Sequence, residues 1–298
     1  MTIDQSAEPA RETAWEPDPK PARTGDGSET LWYAYGILAA AQVGSAPTLP
    51  EGVAGGTPRL VVSGGLAAAV SPVPAPDFER ERLEENLERF EWLDRTARAH
   101  HAVVEALRER GTVLPLRLVT VYRSEERVRE VLEEYSASFQ DGLARLVGHS
   151  EWGVKLYLRP DGSSPATGAE AGAAVAEGAA EAGRREPERP RSGREYLRRR
   201  GRQRNAEEDA WRAAARIGER IDGAVRDLVH GARRYPPQDS RLSGRSDQNV
   251  LNVAYLVADS GVDEFLAVVR DLTGGHHRVH AEVVGPWAPY SFATEAPA

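Results

Sequence analysis

At 298 residues, with 40% hydrophobic and 28% charged positions, the chain can form two ordinary domains, each with its own core. The absence of cysteine excludes disulfides, thiolate metal sites and cysteine nucleophiles, and fits a reducing cytoplasm. A formal net charge of -8 and a pI of about 5.5 weigh against general nucleic-acid binding. Lys20 and Lys155 are the only lysines, and the Arg-, Ala- and Gly-rich composition reads as coding bias. No apolar run approaches the ~20 residues a membrane span needs, and the first residues lack a signal-peptide core. A soluble protein that stays where it is made is expected.

Residues 1–29 are rich in Pro, Glu, Asp, Gly and Arg and are read as a disordered tail, because they offer too little apolar area to offset ordering entropy. Residues 31–38, with Trp32, Tyr33 and Tyr35, have the apolar character of a buried strand. Residues 59–62 and 66–70, joined by Gly64-Gly65, read as a hairpin. Asp77 is placed as the N-cap of one long helix, with Leu83, Leu87, Phe90, Ala97, His101, Val104 and Leu107 at helical spacing. Gly111 ends it. Residues 112–122 form a strand whose Pro115 points to an edge position or a bulge. Ser124 opens another helix, with Val128, Leu132, Tyr135, Phe139 and Leu146 on one face, stopped at Gly148.

The second half begins with a strand over residues 151–159. Trp152, Val154, Leu156 and Leu158 alternate there with Glu151, Lys155 and Arg159. Residues 160–192, repetitive in Ala, Glu and Gly and then in Arg, Pro and Glu, read as a mobile insertion. A helix over about 193–229 follows, with Trp211, Ala214, Gly218, Ile221, Val225 and Leu228 on a stripe. A short strand at 233–238, a strand at 250–258, a helix at 262–272 and a strand at 279–284 complete the order β-α-β-β-α-β. That is the order of a ferredoxin-like split βαβ fold. The first half reads as β-ββ-α-β-α, a related α+β sandwich. The fold class is therefore α+β in two domains, at residues 30–149 and 150–285. The aromatic, proline-containing tail at 286–298 is not expected to continue a strand.

No catalytic template is present: no Gly-x-Ser-x-Gly elbow, no phosphate loop and no Gly-x-Gly-x-x-Gly opening a helix. His100 and His101 lie about 100° apart on a helix and cannot share a ligand; His101 is placed on the apolar stripe. His276, His277 and His280 form either a metal site or, more simply, a solvated loop. The pairs Glu84-Glu85, Glu125-Glu126 and Glu133-Glu134 read as solvated helix faces. Arg194, Arg198, Arg199, Arg200, Arg202 and Arg204 form a basic run. Pairing with carboxylates of neighbouring helices is the simplest account of it, with nucleic acid and an acidic partner protein as the others. Trp287, Tyr290 and Phe292 either cap the core or dock a partner.

Several stretches carry a resemblance. Thr112-Val113-Leu114-Pro115-Leu116-Arg117 with Thr120-Val121-Tyr122-Arg123-Ser124-Glu125-Glu126 resembles the central motif of the gas vesicle GvpF/GvpL family. Tyr33-Ala34-Tyr35-Gly36, Glu151-Trp152-Gly153-Val154-Lys155, Gly193-Arg194-Glu195-Tyr196-Leu197 and Asn252-Val253-Ala254-Tyr255-Leu256-Val257 are similar to it too. So is the terminal Gly285-Pro286-Trp287-Ala288-Pro289-Tyr290-Ser291-Phe292. The chain departs at Leu118, where the family more often has an aromatic, and in its extended N-terminus, which leaves the F or L subtype open.

The resemblance implies a non-enzymatic gas vesicle accessory protein without cofactor or metal, cytoplasmic before assembly and then a minor vesicle component. Its implied partners are the shell protein GvpA and other accessory proteins, with neither nucleic acid nor membrane. A shell subunit with an exposed apolar face aggregates unless a partner covers that face. The expected partner-binding residues are Arg117, Trp287, Tyr290 and Phe292. A small-molecule-binding sensor of ferredoxin-like type is the alternative.

Overall fold

The computed structural model describes residues 30–43, 49–160, 193–237 and 247–293. The expected tail 1–29, all but the first residue of the insertion 160–192, and residues 294–298 lie outside the described residues. The chain divides into two compact units, Met1–Val147 with Ala293–Ala298, and Gly148–Phe292.

The first unit is a four-stranded antiparallel sheet in the order β2-β3-β1-β4, with helices packed against it. Its strands are β1 (Thr30–Ala39), β2 (Arg59–Ser63), β3 (Leu66–Pro74) and β4 (Leu114–Tyr122). β1 owes its central place to an unbroken apolar run, and Tyr33, Ala34, Tyr35 and Ile37 are almost wholly buried. The hairpin from β2 to β3 turns where read, at Gly64 (φ +59) and Gly65 (φ +81). Positive φ at both central residues of a two-residue turn is what glycine supplies without steric cost.

The single helix expected from Asp77 is three helices: α1 (Ala75–Phe78), α2 (Arg80–Leu87) and α3 (Phe90–Arg108). Asp77 sits inside α1 and caps nothing; the chain is extended at Glu79 and again at Arg89. The breaks shift the phase of the apolar face. Leu87 and Phe90 are left exposed, and Trp92, Thr96, His100, Val103, Val104 and Leu107 turn inward. His100, not His101, is therefore the buried histidine.

The next helix forms as two, α4 (Glu125–Glu134) and α5 (Ser136–Leu146). Ser124 caps α4, its hydroxyl oxygen accepting from the Arg127 N–H at 3.1 Å. Of the acidic pairs, Glu84, Glu85, Glu126, Glu133 and Glu134 are exposed as expected, but Glu125 is only 18% exposed, because it is drawn in against Arg59 of β2 and Arg129 of its own helix.

The second unit runs β5 (His149–Leu158), α6 (Gly193–Val225), β6 (Val229–Arg234), β7 (Gln248–Ala258), α7 (Val262–Thr273) and β8 (Val279–Trp287). Its sheet is antiparallel in the order β6-β7-β5-β8. Trp152, Val154, Leu156 and Leu158 lie on one face of β5, packed with Ile217, Ile221 and Val225 of α6 and Phe265 and Val269 of α7. Three sequence expectations shift. β6 begins and ends earlier than residues 233–238, and α6 ends at Val225. β8 also runs on through Pro286 to Trp287, where the prolines were expected to stop it. Pro286 is tolerated because β8 is the outer strand, so a missing N–H breaks no inner ladder.

Phe265 is fully buried, edge-on to Tyr255 at 5.6 Å between ring centroids. Replacing it with alanine is expected to cost about 3–5 kcal/mol in urea unfolding. Phe90→Ala, at 79% exposure, is expected to stay within about 0.5 kcal/mol of the parent.

Candidate functional site

The outer strand of the first sheet carries an irregularity at its centre. Gly36 of β1 stands opposite Pro115, and Ala34 opposite Thr120, so residues 116–119 lie outside the regular ladder. The crossing needs glycine, since a Cβ at Gly36 would lie 2.8 Å from Val113 Cγ2. Val119 sits at φ +65, a conformation that a β-branched residue adopts only under constraint.

Hydrogen bonds supply that constraint. The Val119 N–H donates to the Tyr33 hydroxyl at 3.0 Å, and Thr120 Oγ1 donates to the Arg117 carbonyl at 2.8 Å. The Tyr33 hydroxyl also meets His100 Nδ1 at 3.1 Å, and His100 is hydrogen-bonded to the backbone of Leu116. Burial is the main influence lowering the His100 pKa to about 4; the bond to Leu116 opposes it and the charge of His101 adds to it. The ring is therefore neutral at pH 7 and acts as a fixed hydrogen-bonding strut. Burial likewise raises the Tyr33 hydroxyl pKa. Beside it, Tyr35 contacts Ser71 Oγ at 2.7 Å and accepts from the Val53 N–H at 2.8 Å. Arg117 projects from this braced segment and is exposed. The edge position and the bulge were both readable from Pro115; the Tyr33–His100 brace, 67 residues apart in sequence, was not.

In the second unit the aromatic tail is fastened by a buried carboxylate. Ser291 donates twice to Glu151, from its N–H to Oε2 at 2.7 Å and from its hydroxyl to Oε1 at 2.6 Å. Tyr235 Oη in turn donates to Ser291 Oγ at 2.8 Å. Burial raises the Glu151 pKa, against the Ser291 hydrogen bonds and the nearby charge of Arg233. Glu151, expected on the polar face of its strand, is thus buried, because the tail folds over it. Nothing within a short window of sequence announces a partner 140 residues away.

The clamp sorts the three aromatics. Phe292 packs on Gly231, where a Cβ would come within 2.9 Å of the ring, and Tyr290 is half-buried. Trp287, paired in register with Glu151, remains 41% exposed. Arg117 and Trp287 are the exposed members of the predicted set, and Tyr290 and Phe292 are half-buried.

His276, His277 and His280 do not form a ligand cluster. His276 and His277 are exposed, and His280 stacks on Tyr157 at 5.3 Å. Among the described residues no group of three or more His, Cys, Asp or Glu is arranged to hold a metal. No described helix is long and apolar enough to cross a membrane.

The pattern of the family described as "Gas vesicle synthesis protein GvpL/GvpF" matches residues 31–294. The chain is similar to gas vesicle protein L of Streptomyces sp. (strain CB03234), with 38% identity over 269 residues, covering 89% of this chain and 94% of that protein. With gas vesicle protein F of the same strain it shares 28% identity over 272 residues, 87% of this chain and 98% of that protein. Its fold resembles the crystal structure of GvpF from Anabaena sp. PCC7120, with a TM-score of 0.58 at 17% identity over 89% of this chain and 96% of that one.

The His100 strut has a signature in pH. A folded-state pKa depressed from 6.5 to about 4 gives a contribution that is complete above pH 6.5 and is lost as the pH falls toward 4. Unfolding free energy is expected to drop over that interval by up to roughly 3 kcal/mol more in the parent than in His100→Gln. Glu151, shifted the opposite way, is common to both proteins and cancels. Parallel slopes in urea titrations at stepped pH would contradict the buried, neutral assignment.

Proposed function

This chain belongs to the gas vesicle GvpL/GvpF family, and from that premise we propose that it binds the shell protein GvpA and limits its aggregation while vesicles nucleate. At the coarser level it is a gas vesicle accessory protein. The observation that carries the finer reading is the outer strand β4. Its residues 116–119 stand out of the ladder, braced by Tyr33 and His100, and present Arg117 on a sheet margin. A strand margin of this kind suits extended or apolar segments of a client that aggregates when left uncovered. Exposed Trp287 supplies an aromatic anchor of the type that dominates protein interfaces.

The same proposal covers several finer points. The two domains are taken as residues 30–149 and 150–285, with other accessory proteins as further partners and the vesicle as the final location. A ferredoxin-like reading of the second unit is supported by its β-α-β-β-α-β order and its β6-β7-β5-β8 sheet. Higher identity to the L protein than to the F protein of one Streptomyces strain supports an L-type assignment.

Co-expression tests the reading. With this chain present, GvpA is expected to remain in the supernatant after centrifugation; equal pelleting with and without it would remove the proposal. Arg117→Ala and Trp287→Ala are each expected to stay folded and to weaken GvpA binding by at least about tenfold, the scale of an interface anchor.

A further inference from the structure

We propose that the N-terminal half of α6 is a dimerisation arm, pairing antiparallel with the same segment of a second copy of this chain. α6 is 33 residues long, about 50 Å. Its C-terminal part is anchored: Ala214, Ile217, Ile221 and Val225 lie in the core, and Asp222 meets Tyr255 and Arg234. Upstream, among the described side chains, Arg194, Leu197, Arg198 and Arg200 are exposed, and so is every residue from Arg202 to Asp209. A helical stretch so widely exposed draws little stability from packing and is marginal in water. Exposed pairs such as Arg204–Glu208 at 3.9 Å and Arg212–Glu208 at 3.3 Å add only about 0.2–0.5 kcal/mol each.

The exposed surface has an order that chooses its occupant. At 3.6 residues per turn, Leu197, Arg200, Glu208 and Trp211 all lie within about 40° of the direction of Arg204. They form one stripe about 21 Å long from Leu197 to Trp211. Its ends are large apolar side chains left in water, Leu197 at 68% and Trp211 at 41% exposure. Turned end for end about Arg204, the stripe matches itself: Leu197 meets Trp211, and Arg200 meets Glu208. The charge along the arm follows the same order: Arg198, Arg199, Arg200, Arg202 and Arg204 precede Glu207, Glu208 and Asp209, and turning about Arg204 also brings Arg199 opposite Asp209.

Antiparallel pairing therefore sets basic against acidic in both halves, whereas parallel pairing sets like against like. Arg204 falls on the two-fold axis, with its own Glu208 beside it. Self-matching patches of this kind define an isologous dimer. A phosphodiester backbone suits the stripe less well, since the acidic residues and the -8 net charge of the chain repel it.

The test is a concentration series of the full chain, up to about 100 µM, by light scattering behind size exclusion. The parent is expected to rise from the 32.5 kDa of one chain toward twice that mass, and to dissociate as salt is added. Arg200→Glu and Glu208→Arg each place like charges across both halves and are expected to weaken the dimer by at least about tenfold. An equimolar mixture of the two variants restores both pairs and is expected to recover the dimer. Circular dichroism checks that each variant keeps its fold. A parent that stays monomeric, a dimer indifferent to both substitutions, or a mixture no better than its components would overturn the proposal. So would a short DNA duplex that binds the parent and competes with its self-association.

Discussion

A phenol sealed from water must find its hydrogen bonds inside the protein, and in the first unit that requirement shapes the surface as well as the core. Tyr33 is wholly buried, and its hydroxyl is met by the His100 ring and by the Val119 amide. One partner comes from α3 and the other from β4, so a single buried oxygen ties a helix, the central strand and the outer strand together. The tie holds Val119 at positive φ and keeps residues 116–119 out of the ladder. The second unit follows the same logic with a carboxylate, Glu151, whose two oxygens are taken up by Ser291 and whose burial fastens the aromatic tail.

Local signals in the sequence were a sound guide where one short-range rule decides the outcome. Two glycines in a two-residue turn, a proline confined to a sheet margin, a serine at a helix start and strict alternation from Trp152 to Leu158 all became the elements they announced. The failures came where longer-range packing decided. Leu83, Leu87 and Phe90 have a spacing that continues the stripe of α3, but the chain is extended at Arg89, so the phase slips and His100 replaces His101 inside. Glu151 alternates with apolar neighbours and looks solvent-facing until a distant segment closes over it. Pro286 was read as a strand stop, though on an outer strand it costs no ladder bond. Arg117 and Trp287 are singled out by motif and residue type, and both are exposed; the brace and the clamp rest on partners 67 and 140 residues apart and leave no local signal.

These two fastenings give the accessory-protein reading physical content. A holder of aggregation-prone subunits needs a surface that accepts apolar or extended segments without itself unfolding or self-pairing along its sheet margin. In the proposed role, the braced bulge holds the β4 margin in a fixed shape for its client. The arm of α6 is a separate device with a different pattern, charge-ordered where the β4 margin is backbone-ordered.

Amide hydrogen exchange along this chain, with and without the shell protein, tests most directly whether the β4 margin receives GvpA as proposed. Slowed exchange is expected at residues 116–119 and around Trp287, with the arm of α6 unchanged. Unaltered exchange across β4 in a sample where GvpA is demonstrably bound would contradict it.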